Sequence, residues 1–208
     1  MPPEPTVAPV AAAGREQGRL LLALARETIA AALDVPWHAA RLPAPELAAP
    51  WLREPGACFV TLTRHHRLRG CIGSVRARRP LAEDLRANAR AAALSDPRFP
   101  PLTAAELPET RIEVSLLSAA TPLPAASEEE ALAALRPGID GIILEVGGEA
   151  HATFLPQVWD NLPAPQDFLA HLKHKAGLPP DFWSPDLRLQ RYTVTKWSEE
   201  EPGEEPAG

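Results

Sequence analysis

Cys58-Phe59-Val60-Thr61-Leu62, then His65-His66-Arg67, then Leu68-Arg69-Gly70-Cys71-Ile72-Gly73 is the stretch from which the fold is read. Residues 57–63 are rich in β-branched and aromatic side chains, the polar break suits a hairpin turn, and residues 69–76 return as a second strand. Helical segments surround this hairpin. Residues 16–34 place Leu20, Leu21, Leu24, Thr28, Ile29 and Leu33 near helical spacing and stop before Pro36. Residues 80–94 are alanine-rich, with Pro80 near the first turn. Residues 41–55 form a proline-rich connection, and residues 111–117 read as a strand. Ser127-x-x-Glu130 is a capping box that opens a helix to Leu135. Residues 142–146 and 150–155 flank Gly147-Gly148-Glu149 as a second hairpin. A helix over residues 166–176 is closed by Gly177, and residues 187–196 read as one last strand. Hairpins mixed with helices predict an α+β fold with mixed or antiparallel sheets.

A chain of 208 residues, 45% apolar and 23% charged, has the composition of a globular protein with one well-buried core. It holds no apolar run long enough to span a bilayer and no basic segment leading into an apolar one, which points away from membranes and secretion. Cys58 and Cys71 are its only cysteines, with no CxxC, so neither a zinc site nor a disulfide framework is indicated. A reducing cytoplasm is the expected setting. Glu4, Glu199, Glu200, Glu201, Glu204 and Glu205 account for the whole net charge of -6, which leaves residues 15–197 formally neutral. A neutral body argues against nucleic acid as partner. The ends, residues 1–14 and 198–208, read as a disordered arm and an acidic disordered tail.

The central run also holds the chemistry. If the second strand is extended, Arg69, Cys71 and Gly73 share one face. A guanidinium beside a thiol favours the thiolate, which a nucleophilic or redox-sensing cysteine requires. Gly70 and Gly73 would let a ligand approach the backbone, with Ile72 and Ser74 beside them as ligand contacts. The alternative is that Cys71 is a small buried hydrophobe and the glycines mark a bulge or close packing. Cys58 reads as core. Asp96-Pro97-Arg98-Phe99 is either a structural latch or a turn presenting a carboxylate and a guanidinium to a ligand. Glu113 and Ser115 share a strand face, with Glu113 a candidate general base or a solvated acid. Gln157, polar within an apolar run, is a ligand candidate or a cap on backbone groups, and Lys175, also a ligand candidate, ends a helix whose dipole it equally complements. His171 and His174 lie i,i+3 without a third metal ligand. Arg64, Arg67, Arg69, Arg76, Arg78 and Arg79 could form an anion or RNA patch, or simply face water.

Six pieces of the chain, in order, resemble the AMMECR-type domain family, in its bacterial and archaeal form called AmmeMemoRadiSam system protein A. They are Phe59-Val60-Thr61-Leu62, Leu68-Arg69-Gly70-Cys71-Ile72-Gly73, Ala92 through Asp96-Pro97-Arg98-Phe99-Pro100-Pro101-Leu102, Ile112-Glu113-Val114-Ser115-Leu116-Leu117, Phe154-Leu155-Pro156-Gln157-Val158-Trp159 and Lys175-Ala176-Gly177-Leu178. The resemblance covers residues 15–197. It implies a larger and a smaller subdomain with the motif residues at a central cleft, and a pathway shared with a Memo-like protein and a radical-SAM protein. Lys173 stands where the family often carries a cysteine. The chain lacks CxxxCxxC, Walker A and dinucleotide motifs of its own, so no cofactor is indicated. Three functions follow as expectations. The first is an enzyme or enzyme subunit binding a small anionic molecule around Cys71, Arg69 and Glu113. The second is a non-catalytic adaptor for the two partners, and the third a nucleic-acid binder through the arginine cluster.

Overall fold

The computed structural model describes residues 10–36, 49–147 and 149–199, with the side chains of 10–13 and 149–151 left aside. The chain forms two compact units, Met1–Leu116 with Lys196–Gly208, and Leu117–Thr195.

The first unit is a four-stranded sheet backed by two helices. Its strands are β2 (Cys58–Arg64), β3 (Arg67–Gly73), β5 (Thr110–Leu117) and β10 (Val194–Ser198), in the order β10-β5-β2-β3. The short strands β1 (Pro55–Gly56) and β4 (Arg79–Pro80) pair separately. The expected hairpin forms, and His65 and His66 hold φ of 50° and 59°. Two consecutive positive-φ residues make the tight turn whose twist matches the strands. Period-two alternation gives the sheet two unlike faces. Val60, Leu62, Ile112 and Val114 are completely buried on one of them, each contributing about 1.5–3 kcal/mol relative to exposure. They share a core with Leu21, Leu24 and Ile29 of α1 (Val10–Ala32) and with Leu85 and Ala89 of α2 (Leu81–Leu94). The other face carries Phe59, Thr61, Cys71, Glu113 and Ser115.

The second unit is a sheet of order β6-β9-β7-β8, formed by β6 (Thr121–Leu123), β7 (Gly141–Val146), β8 (Glu149–Phe154) and β9 (Leu187–Tyr192). With it go α3 (Glu128–Ala134) and α4 (Pro165–Lys175). Trp159 stacks on Phe168 at 3.8 Å between centroids, and Phe154 meets Phe168 edge-on at 5.3 Å. The capping residue Ser127 accepts a hydrogen bond from Glu130 N at 3.2 Å, while Glu130 accepts from Ala126 N rather than closing on Ser127.

Three expectations change. Residues 187–196 are two strands, not one: the ladder breaks at Thr193, whose N–H donates to Ser118 Oγ and whose carbonyl accepts from Ser118 N. β10 then joins the first sheet, where the Trp197 ring lies where a side chain on Gly18 would stand. α1 begins at Val10, inside the expected N-terminal arm. Ser198 and Glu199, expected within the acidic tail, are ordered, because Ser198 closes β10 and Glu199 is held by Arg26, Arg111 and the backbone of Ile112. Residues 1–9, 37–48 and 200–208, where parts of the arm, the connection and the tail were expected, lie outside the described residues.

Candidate functional site

Strand register fixes the first row of the site. Cys71 of β3 stands opposite Thr61 of β2, and Thr61 stands opposite Glu113 of β5. Thr61 Oγ1 donates to Cys71 Sγ at 3.4 Å. Glu113 accepts from Ser198 Oγ at 3.2 Å and lies 3.8 Å from Lys196 Nζ. In the next row Gly73, Phe59 and Ser115 align. A thiol, a hydroxyl and a carboxylate therefore share one sheet face, with Cys71 and Glu113 two strands apart, about 10 Å at the backbone. That spacing excludes a direct contact between them.

The guanidinium at Cys71 belongs to Arg98, not to Arg69. β3 carries a bulge: Leu62 opposes Gly70 while Thr63 opposes Leu68, so Arg69 is the extra residue. Its side chain leaves the alternation and donates to both oxygens of Glu106, to Pro100 O at 2.8 Å and to Pro101 O at 3.2 Å. Arg69 thus anchors the loop before β5. It holds the Glu106 carboxyl down at about 2, helped by hydrogen bonds from Thr103.

Arg98 arrives from the loop after α2. Asp96 accepts from Cys71 N at 2.8 Å, and from Arg98 N, Nε and Nη2 at 3.1, 3.0 and 2.7 Å. Arg98 Nη2 also donates to Cys71 O at 3.1 Å. β3 is an edge strand, and this Asp96–Arg98 pair occupies its open backbone groups at Cys71 in place of a further strand. Arg98 foremost, with Cys71 N, holds the Asp96 carboxyl well below the usual range despite burial. The Asp96 side chain is 2% exposed and that of Arg98 52%, so the latch is buried while the charge reaches solvent. Phe99 lies under the Arg98 guanidinium, 5.4 Å from carbon to centroid.

The other motif residues pack. A Cβ on Gly70 would stand 2.1 Å from Ala92 O of α2, and one on Gly73 would meet the Phe59 ring at 2.2 Å, so both glycines serve close packing rather than ligand approach. Ile72 packs against the core. Ser74 Oγ donates to Asp84 Oδ1 at 2.7 Å and accepts from Asn88 Nδ2 at 3.2 Å, which makes it a structural group. Asp84 also accepts from Cys58 N, Asn88 and Arg79. Burial first, then the Asp84 charge, pushes the Cys58 thiol up to about 12. Cys58 is core, as its sequence context indicates.

Gln157 and Lys175 belong to the second unit. Gln157 is exposed in the 3-10 turn Pro156–Asp160, and Lys175 Nζ donates to Thr153 O at 3.0 Å over the Phe154 ring. His171 Nδ1 lies 2.8 Å from Asp167 O within α4. Among the described residues no three His, Cys, Asp or Glu side chains gather to hold a metal ion. Within the arginine cluster, Arg64 pairs with Glu106 and Glu109, Arg69 with Glu106, and Arg79 with Asp84.

Sequence reasoning missed Thr61, Asp84, Asn88 and Glu106. Asp84 and Asn88 left a signal, since they interrupt the buried stripe Leu81, Leu85, Ala89, Ala92 of α2 at helical spacing.

A family model described as AMMECR1 matches residues 22–197. A protein of Methanothermobacter thermautotrophicus is 36% identical over 192 residues, covering 89% of this chain and 96% of that relative. One of Thermococcus gammatolerans is 38% identical over 198 residues, covering 90% and 92%. The crystal structure of the uncharacterized protein PH0010 from Pyrococcus horikoshii superposes with a TM-score of 0.73 at 34% identity, covering 90% of this chain and 93% of that one.

Proposed function

The chain belongs to the AMMECR1 family, and from that premise we propose that it is an enzyme or enzyme subunit that binds a small anionic molecule over the Cys71 face of the first sheet. The supporting observation is the row Cys71, Thr61, Glu113 with the exposed Arg98 guanidinium at its Cys71 end. Arg98 spends Nε and Nη2 on Asp96 and Cys71 O, and the exposed Nη1 edge of its guanidinium is the donor that an anion would meet. A ligand lying across Thr61 would meet the thiol at one end and the Glu113 carboxylate at the other. Cys71 is then the nucleophile and Glu113 the general base toward the bound molecule rather than toward the thiol. Arg69 acts only through the loop it anchors. Gln157 and Lys175 carry no role in this reading.

The resemblance supplies the setting, a cytoplasmic pathway shared with a Memo-like protein and a radical-SAM protein. Cys71→Ser is expected to abolish product formation by that pathway in cells while the purified variant keeps its unfolding midpoint. Full activity in a folded Cys71→Ser protein would remove the thiol mechanism. In that case the adaptor reading takes over, and co-purification with either partner becomes its test.

A further inference from the structure

The second unit holds a cavity of about 440 Å3, within the roughly 300–1,000 Å3 usual for small-molecule sites. Its walls are Pro122 to Ala126 on one side and Trp183 on the other, with Leu187, Arg188 and Leu189 of β9 as floor and rim. The β-ladder explains why it is there. β6 pairs with β9 only from Leu189 to Arg191, so the β9 edge at Leu187 and Arg188 is left without a neighbouring strand. Leu187 N turns instead to Ser184 O at 3.0 Å. The lining is apolar apart from Arg188. That guanidinium uses Nη1 on the carbonyls of Pro185 and Leu187, while Glu145, its cross-strand neighbour on β7, accepts from Gln190 Nε2 at 3.0 Å.

A buried cation holds the two walls. Lys173 is fully buried, donates to Glu128 Oε1 at 2.8 Å and to Pro180 O at 2.9 Å, and stands 5.8 Å from the centre of the Trp183 ring. Glu128 opens the helix that follows Ala126, and Pro180 lies in the segment that leads to Trp183. Burying an ammonium is unfavourable unless it is paired and bonded, and this one is spent on fixing the geometry of an aromatic wall.

We infer that this cavity is a binding site for a small amphipathic organic acid, with the apolar body against Trp183 along the free β9 edge and the carboxylate on Arg188. It is separate from the Cys71 face and does not depend on the function proposed there.

The test is amide and indole NMR of the full chain titrated with octanoate, and with octanamide as its neutral counterpart. Octanoate is expected to give saturable shifts at Leu123, Ala125, Ala126, Leu187, Leu189 and the Trp183 indole N–H. Octanamide should bind about tenfold more weakly at the same residues, for want of a charge-assisted contact. Arg188→Gln should bring octanoate to the octanamide value, and Trp183→Ala, with its remaining spectrum intact, should bind neither. Absence of saturation at these residues, shifts centred on Cys71 instead, or equal octanoate affinity in Arg188→Gln would each overturn the assignment.

Discussion

Cys58 and Cys71 sit on neighbouring strands of one sheet and are held by the same device on opposite faces. In each case a buried aspartate accepts the cysteine's own backbone N–H: Asp84 takes that of Cys58 at 3.1 Å, Asp96 that of Cys71 at 2.8 Å. In each case a partly exposed arginine neutralises the aspartate, Arg79 for the first and Arg98 for the second. The faces differ. Cys58 points into the core, 3.6 Å from an Asp84 oxygen, where burial and a negative charge keep its proton on. Cys71 points to the other face, where Thr61 donates to its sulfur and the nearby side chain is a guanidinium. One residue of strand phase separates a thiol sealed in the core from one on the face where we propose that an anion binds.

Removing the two aspartates should break this symmetry most strongly. Asp84→Ala strips the acceptor from Cys58 N, Ser74, Asn88 and Arg79 at once, and is expected to lower unfolding free energy by about 3 kcal/mol. Asp96→Ala frees groups nearer the solvent and should lower it by about 2 kcal/mol. Denaturant unfolding of both variants checks the order, and a larger loss for Asp96→Ala would make the Cys71 latch the more structural of the two.

Gly70→Ala tests whether the motif glycines pack or bind. Its Cβ meets a helix carbonyl, which cannot give way as a side chain does, so a loss of about 2 kcal/mol is expected. An unchanged midpoint combined with lost pathway activity would return Gly70 to the ligand site.

Alkali tests the buried thiol. The folded-state value of Cys58 lies above its ordinary value of 9.0, so its contribution is complete below pH 9 and is lost as pH rises toward 12. Stability measured from pH 8 to 11 should fall less steeply in Cys58→Ala than in the parent. Equal slopes would mean that the buried thiol is not what titrates. The smallest effect concerns the Arg69 anchor. Glu106 has a depressed value, so its contribution is present above pH 4.5 and fades as pH falls toward 2. Glu106→Gln should flatten acid unfolding across that window.

The hairpin was legible because Val60, Thr61 and Leu62 alternate toward and away from a core, and so was the shared face of Cys71 and Gly73. The partner of Cys71 was not. Strict alternation offers Arg69, whereas a bulge turns Arg69 to Glu106 and a loop 27 residues downstream delivers Arg98. Neither event leaves a local pattern. The latch reading of Asp96 was available from Asp-Pro-Arg alone, because a side chain that bonds the backbone two residues on is a local property. The split of the last strand had no sequence signal, since Leu189, Gln190, Arg191, Tyr192, Thr193 and Val194 continue a plausible strand and the break depends on Ser118.

The most direct measurement compares iodoacetate with iodoacetamide at Cys71 in the folded protein, each modified peptide quantified by mass spectrometry. The same two reagents on Cys58 and Cys71 in the unfolded chain give the intrinsic ratio. The account predicts an iodoacetate-to-iodoacetamide rate ratio at native Cys71 about tenfold above the unfolded value, because Arg98 concentrates the anionic reagent. It predicts that Arg98→Gln returns the ratio to the unfolded value. A native ratio equal to the unfolded one, or one that survives Arg98→Gln, would contradict the anion site at Cys71.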